Sequence, residues 1–483
     1  MRNDWSGQEL PHAGGRKRFV GDVAGLAPES ALQTIMARNA GLGPVFEQQI
    51  FRQKFVFATS GELCAELCDE SRFVKALPPA LVALRDFAGD GLFTAYNDEP
   101  TWQLAHDLLV PAFTRPAMQR YHGVMLAAVR ELFEVLPADG QPFDVASHMT
   151  KLTMETIART AFSHDFGSFS RPEPHPFVPA MVTALETGRR MGALSSLPGS
   201  WLVRRRLRRR NAGHQRYIDA MLDELIAERR AARGDEQDLL GIMLEQGHPE
   251  TGEKLSDRAI RYQILTFLVA GHETTSGALS FALYYLARDP EVLARAQAET
   301  DAILGSDPDA EPTFEQVPRF RYVRRVLDEA LRLWPTAPGF ARSPRETTTL
   351  AGYTMRPQDW ALVLMPMVHR DPAVWGEDAD EFDPDRFLPE RSRGRLKHGY
   401  KPFGTGERAC IGRQFALHEA VLVLARILHR FDLAGDPSYD LAVTERLTLI
   451  PRGFELSVRP RVPDPGIAAV ATACDGGRTR PPR

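Results

Sequence analysis

Apolar residues recur at i, i+3 and i+4 through RYHGVMLAAVRELFEVL, QRYIDAMLDELIAERRAA and DPEVLARAQAETDAIL, the spacing of a single buried helix face. That period dominates from about Thr101 to Leu333. Ahead of it, PVFEQQIFRQKFVFATS alternates as one or two strands do, and SGELCAELCDE reads as a helix. Behind it, TTTLAGYTMRPQDWALVLMPMVHRDP predicts a small sheet with turns. IGRQFALHEAVLVLARILHRF predicts a further helix, and ERLTLIPRGFELSVRP a closing hairpin. FLVAGHETTSGALSFALYYLA, within a helix from about Ser256 to Arg288, is apolar nearly all round and so should be buried. No repeat and no linker separates two cores. The pattern predicts a mainly α fold with a minor β-sheet region in one domain. Residues 1–41 lead into it, 42–461 form it, and 462–483 lack a periodic apolar face and are expected to be disordered.

Composition narrows the class. The chain has 483 residues and a formal net charge of −4, which gives no general reason to expect nucleic acid or an anionic membrane as partner. Four cysteines, Cys64, Cys68, Cys410 and Cys474, are too few for a disulfide framework. Cys64 and Cys68 have no second pair nearby to complete a zinc site, and read as helix residues. The N-terminus lacks the apolar stretch of a signal peptide. No window reaches the roughly 18 consecutive apolar residues of a membrane helix, so a cytoplasmic protein without membrane insertion is expected. WLVRRRLRRRNAG places six arginines in seven positions, either a solvated helix or loop or a contact surface for an acidic partner or substrate.

The chemistry concentrates in KPFGTGERACIGRQFALHEA. Cys410 stands just before a helix, where the macrodipole and free N–H groups favour a thiolate. Gly404, Gly406 and Gly412 let the backbone turn tightly and let a flat body approach. Phe403 can cover the sulfur and Arg408 can pair with an anionic group. A thiolate facing a large planar metal cofactor with carboxylates describes haem. Gly404 to Ala409 also fits G-x-G-x-x-A, but the preceding RGRLKHGYKP is not the buried strand a dinucleotide site requires. In the helix, His272-Glu273 begins like H-E-x-x-H, yet the fifth position is Ser276, so a zinc-protease reading fails.

Phe403, Gly404, Gly406, Arg408, Cys410 and Gly412 match F-G-x-G-x-R-x-C-x-G, and by this the chain resembles the cytochrome P-450 monooxygenases. It is most similar to the haem domain of bacterial self-sufficient fatty-acid hydroxylases. CDESRF, RDFAGDGLFTA, IRYQILTFLVAGHETTSG, EALRLWPTAP and HRDPAVWG carry the likeness, which runs from about Leu42 to Arg459. The resemblance implies the cytochrome P-450 fold, with haem b between a long central helix and the cysteine loop. It implies Cys410 as iron ligand and Phe403, Arg408, Gly412, Trp102, His106 and Lys75 as haem contacts, though His106 reads equally as a satisfied surface histidine. Ala270 and Gly271 would leave room above the iron. Thr274 and Glu273 would deliver protons to bound dioxygen; taken alone, Thr274 can equally bond back to a helix carbonyl. Phe93, Ala88, Ala270, Ala337, Gly339 and Leu447 would line the substrate pocket. Glu329, Arg332 and Arg386 would form a triad bracing the cysteine loop.

The implied activity is an oxidoreductase reaction: one oxygen atom of O2 enters a C–H bond (hydroxylation) or an alkene (epoxidation) of a lipophilic substrate. Its electrons would come ultimately from NAD(P)H. A fatty acid or acyl chain is one substrate class and a larger secondary-metabolite intermediate another. The relatives' carboxylate-holding arginine and tyrosine correspond to Gln53 and Phe57. Because no flavin domain follows residue 483, a separate ferredoxin or flavodoxin-type partner is expected, docking near Arg391, Arg393, Arg395, Lys397 and Lys401. A haem protein that merely binds a ligand is the rival from another class.

Overall fold

This computed structural model describes residues 3, 5–23, 26–51, 53–194, 199–232 and 237–462. The tail 463–483, Cys474 included, and Arg52 lie outside the described residues.

Nine helices carry the argument: α1 (Pro79–Ala88), α2 (Pro100–Leu109), α3 (Arg115–Val135), α4 (Val145–Phe162), α5 (Phe177–Ala193), α6 (Ser200–Ala232), α7 (Asp257–Arg288), α8 (Arg321–Leu333) and α9 (Arg413–Arg430). The helix expected from about Ser256 to Arg288 is α7. Ser256 caps it by accepting the Ala259 N–H at 3.2 Å, Asp257 stands in its first turn and Arg288 in its last, charges that suit the two ends of the helix dipole. Packing against α4, α8 and α9 buries it on nearly every side. Its hydroxyls bond back to the helix: Thr266, Thr274 and Ser280 donate to the carbonyls of Tyr262, Ala270 and Ser276, each at 2.7 Å. Thr153 of α4 donates across to the His272 carbonyl at 2.9 Å.

Strands β1 (Val45–Ile50), β2 (Gln53–Ala58), β3 (Phe73–Ala76), β4 (Pro142–Asp144), β5 (Gly339–Pro344) and β6 (Ala361–Leu364) come first. Five of them form one sheet in the order β1-β2-β6-β5-β3, parallel at β2/β6 and antiparallel elsewhere. Asn3 and Trp5 fasten the N-terminal segment to this sheet through the Trp360 carbonyl, at 2.9 and 3.2 Å.

The closing hairpin expected from ERLTLIPRGFELSVRP does not form. After β7 (Phe431–Gly435), strands β8 (Val443–Glu445) and β9 (Leu449–Pro451) pair with each other, while β10 (Glu455–Pro460) joins β7 and β4. β10 buries Leu456 and Val458 against the main core by leaving β9, and burial of a strand face decides pairing more strongly than a nearby turn.

The basic segment lies in α6. It is helical and open to solvent at its start, with no buried residue before Ile218.

Candidate active site

The cysteine loop leads directly into α9. Gly404 and Gly406 both have φ +69°, a conformation glycine adopts without a Cβ penalty. The Cys410 N–H donates to the Phe403 carbonyl at 2.9 Å, and Ala409 N–H to Gly406 O at 3.0 Å, so the loop folds back on itself and presents the thiol. Cys410 keeps open surface, yet protein surrounds it closely enough that burial pushes the thiol pKa up, against the opposing pull of the Gly412 N–H and Arg413. Desolvation outweighs the dipole, and a bound metal cation would supply the missing stabilisation.

Above the loop runs α7. Phe113 links the two, standing 3.8 Å from where a Cβ on Gly412 would lie and stacking on Phe267 at 6.0 Å. One turn further on, Ala270 has open surface between the buried Val269 and the half-buried Gly271. Thr274 follows at i+4, on the same helix face. Its hydroxyl donates back to the Ala270 carbonyl, the local bond weighed for it above. Glu273 takes the neighbouring buried face. Its carboxylate accepts from the Thr448 hydroxyl at 2.9 Å and lies 3.6 Å from the exposed Arg446.

Between α1 and α2 the chain passes close over α7. Gly89 and Gly91 leave no room for a Cβ against Tyr262 and Thr266, and the Leu92 N–H donates to Gln263 at 3.0 Å. Phe93, Ala337 and Cys410 all retain open surface. Ala88 is buried, and Leu447 and Gly339 are half-buried. A Cβ on Gly339 would meet the Val363 carbonyl at 2.3 Å, so the sheet backbone requires glycine there whatever the pocket needs.

Cations gather at one edge. Lys75 of β3 and Arg342 of β5 are direct cross-strand partners, so their side chains share a face. Lys75 Nζ donates to the Phe93 carbonyl. Arg408 donates to the Tyr96 carbonyl at 3.0 Å and lies 3.8 Å over the Trp102 ring, which stacks on His106 at 4.9 Å. Trp102 and His106 thus support Arg408 from behind. Burial, then Arg408, Arg342 and Arg85, pull the Lys75 pKa down to about 7. Arg408 Nη1 and Arg342 Nε have no hydrogen-bond partner. Three clustered cations, two of which keep an unpartnered N–H, suit an anionic group, and the two carboxylates of haem meet that requirement.

Glu329, Arg332 and Arg386 come together beneath the loop. Arg332 is fully buried and meets both Glu329 oxygens at 2.7 Å, while Arg386 Nε lies 3.3 Å from Oε1. The connection to the cysteine loop is His369, to which sequence reasoning gave no role. Its Nδ1–H donates to the Arg332 carbonyl at 3.0 Å, leaving Nε2 to accept the Lys401 N–H at 3.1 Å. Burial lowers its pKa to about 3, so the ring stays neutral and this tautomer persists. His369 stood in the quoted HRDPAVWG stretch, where nothing local marks its role, since its partners Arg332 and Lys401 are both more than 30 positions away. Arg342 was missed as well, since its partner Lys75 is remote in sequence.

The family model described as cytochrome P-450 matches residues 11–458. The chain belongs to the cytochrome P-450 family. Among curated relatives, a bifunctional cytochrome P-450/NADPH–P-450 reductase of Bacillus cereus is 43% identical over 424 residues, covering 87% of this chain and 39% of the relative. Reductase 1 of the same description from Bacillus subtilis is 44% identical over 423 residues, with the same coverage of 87% and 39%. A self-sufficient cytochrome P-450 monooxygenase of Phanerodontia chrysosporium is 38% identical over 467 residues, 94% of this chain and 43% of that one. The chain therefore spans about two fifths of the length of these relatives, the portion that carries the cytochrome P-450 family's haem-iron chemistry. Among the described residues, no helix is long and apolar enough to cross a membrane.

Proposed function

We propose that this cytochrome P-450 is a haem-thiolate monooxygenase acting on a lipophilic substrate, with Cys410 as the iron ligand. The observation that carries the reading is the open thiol of Cys410 combined with the cluster of Lys75, Arg342 and Arg408 at the site's edge, where Arg342 Nε and Arg408 Nη1 have no partner. When bound, haem b supplies the activation of O2 and the transfer of one oxygen atom to a C–H bond or alkene.

The chain's own residues do the rest. Lys75, Arg342 and Arg408 would hold the porphyrin carboxylates, with Arg408 braced by Trp102 and His106. Phe403 and Gly412 shape the bed around the sulfur. Ala270 leaves space on the distal side. Thr274 presents its hydroxyl oxygen on that open face, and Glu273 connects inward to Thr448 and outward to Arg446, a route for protons from solvent. Phe93, Ala88, Ala337, Gly339 and Leu447 form the apolar wall against which substrate is positioned. Glu329, Arg332 and Arg386, through His369, hold the cysteine loop still.

Electrons come from a redox partner, drawing ultimately on NAD(P)H. The relatives' names place a reductase in the same chain; a ferredoxin or flavodoxin-type protein is the alternative. Of the basic stretch expected to dock it, Arg391 pairs with Asp383 at 2.6 Å and Arg395 lies 4.1 Å over Trp375. Arg393 and Lys397 remain exposed for a partner.

The substrate class is a fatty acid or acyl chain, by likeness to the self-sufficient hydroxylases. A larger lipophilic intermediate is favoured by one observation. Gln53 and Phe57 are both buried, and Lys54 is occupied by Glu47 at 2.7 Å, so no free cation of the described β2 residues awaits a carboxylate. The test is optical. The reduced carbonyl adduct should show the red-shifted Soret band of cysteinate ligation, and laurate or palmitate should shift the ferric protein from low to high spin. No band with Cys410 intact would overturn the haem-thiolate reading. A normal band with no spin shift at any chain length would reject the fatty-acid class and leave the larger substrate.

A further inference from the structure

Helix α6 opens with Trp201, Leu202 and Val203, which are 62%, 57% and 48% exposed. Successive helix residues step about 100° round the axis, so these three fan round the helix end instead of forming a core-facing stripe. Fully buried residues of α6 begin only at Ile218, and the turns before it are mostly exposed. Directly after the apolar tip come Arg204, Arg205, Arg206, Arg208, Arg209 and Arg210, interrupted only by Leu207. They too encircle the helix. Arg208 is paired with Asp86 of α1 at 2.6 Å. The other five have no ion pair among the described residues. On the neighbouring α5, Glu186 is already held by Arg189 and Arg190 at 2.8 and 2.7 Å, so Asp86 is the one carboxylate among the described residues paired with the collar.

We propose that this helix end docks the protein on an anionic phospholipid surface. Trp201, Leu202 and Val203 enter the headgroup region, and the arginine collar contacts the lipid phosphates. An acidic protein or a nucleic acid would use the collar and leave the apolar tip unexplained. A bilayer interface uses both, because indole and aliphatic groups partition into it while guanidiniums stay at the phosphates. With a chain charge of −4, attraction to an anionic surface must come from this local patch. The contact is peripheral.

The test uses the full-length haem-loaded protein and vesicles of phosphatidylglycerol with phosphatidylcholine, against phosphatidylcholine alone, read by co-sedimentation. Substrate and reductant are absent, so the outcome is independent of the catalytic reading. Binding to the anionic vesicles alone, weakening as salt rises, is expected. Arg205→Gln, Arg206→Gln, Arg209→Gln and Arg210→Gln together should weaken it several hundredfold, at about fivefold per arginine. Trp201→Ser, which leaves charge unchanged, should weaken it about tenfold. All of these residues are exposed, so the Soret spectrum of each variant should match the parent. Failure to sediment with anionic vesicles at low salt would overturn the proposal. Sedimentation untouched by Trp201→Ser would also overturn it, assigning the collar to a soluble polyanion.

Discussion

Arg332 uses every N–H it has. It meets the two Glu329 oxygens at 2.7 Å each and donates to the carbonyls of His369, Ala379 and Glu381 at 2.8, 2.5 and 2.9 Å. Arg332→Lys keeps the charge but offers three donors in place of five. At least two buried acceptors then lose their partner, at about 1–3 kcal/mol each, so the change should cost about 2–6 kcal/mol. That is a large share of the 5–15 kcal/mol typical of a whole domain. Urea unfolding followed by far-UV circular dichroism measures it, with Arg230→Lys as the contrast. Arg230 pairs with Asp257 at a similar 2.6 Å, but the two are 51% and 59% exposed, and that change should cost under about 1 kcal/mol. Because Arg332 also fixes His369, which receives Lys401, the Lys variant should lose haem to an acceptor protein faster. A cost for Arg332→Lys no larger than for Arg230→Lys would refute the reasoning that burial makes this cluster structural.

Other predictions concern titration and coupling. Glu419 is buried with both oxygens unpartnered, and burial raises its pKa to about 8. Between the unfolded value near 4.5 and 8 the native state holds the extra proton, so stability should fall by on the order of a few kcal/mol as pH rises through that window. Glu419→Gln should abolish the slope in a pH series of urea melts. Lys75 has the opposite sense. With its pKa lowered to about 7, the unfolded chain binds more protons above pH 7, so stability of haem-free protein should rise with pH from there toward 10.5. Lys75→Met should remove that rise and stabilise haem-free protein near pH 7 by at least about 1 kcal/mol, while weakening haem retention. Thr274→Ala should divert reducing equivalents to hydrogen peroxide and lower product per NAD(P)H, measured by peroxide and oxygen balance; unchanged coupling would remove Thr274 from the proton route.

The cysteine loop was legible because its requirements are contiguous: positive-φ glycines, a thiol and a cation within ten residues of one helix start. The helix Asp257–Arg288 was legible because it is buried all round and leaves no ambiguity of period. What escaped depended on pairing at a distance. Nothing local tells Arg342 that it faces Lys75, since strand register is set by the whole sheet. The strand Glu455–Pro460 chose Phe431–Gly435 over its sequence neighbour for the same kind of reason. The helix dipole at Cys410 is visible in sequence, whereas the desolvation that opposes it appears only once the surrounding residues are in place.

The segment carrying Phe93 is tied at both ends of the site. Leu92 is held by Gln263 on α7, and the Phe93 carbonyl receives Lys75 at the cationic edge. With Phe93 in the pocket wall and Lys75 on the cofactor as proposed above, pocket shape and cofactor grip would be joined through a few residues of backbone. Anyone reshaping the pocket at 92–94 to admit a new substrate should find porphyrin affinity moving with selectivity, and should restore it from the Lys75 side instead of from the pocket wall.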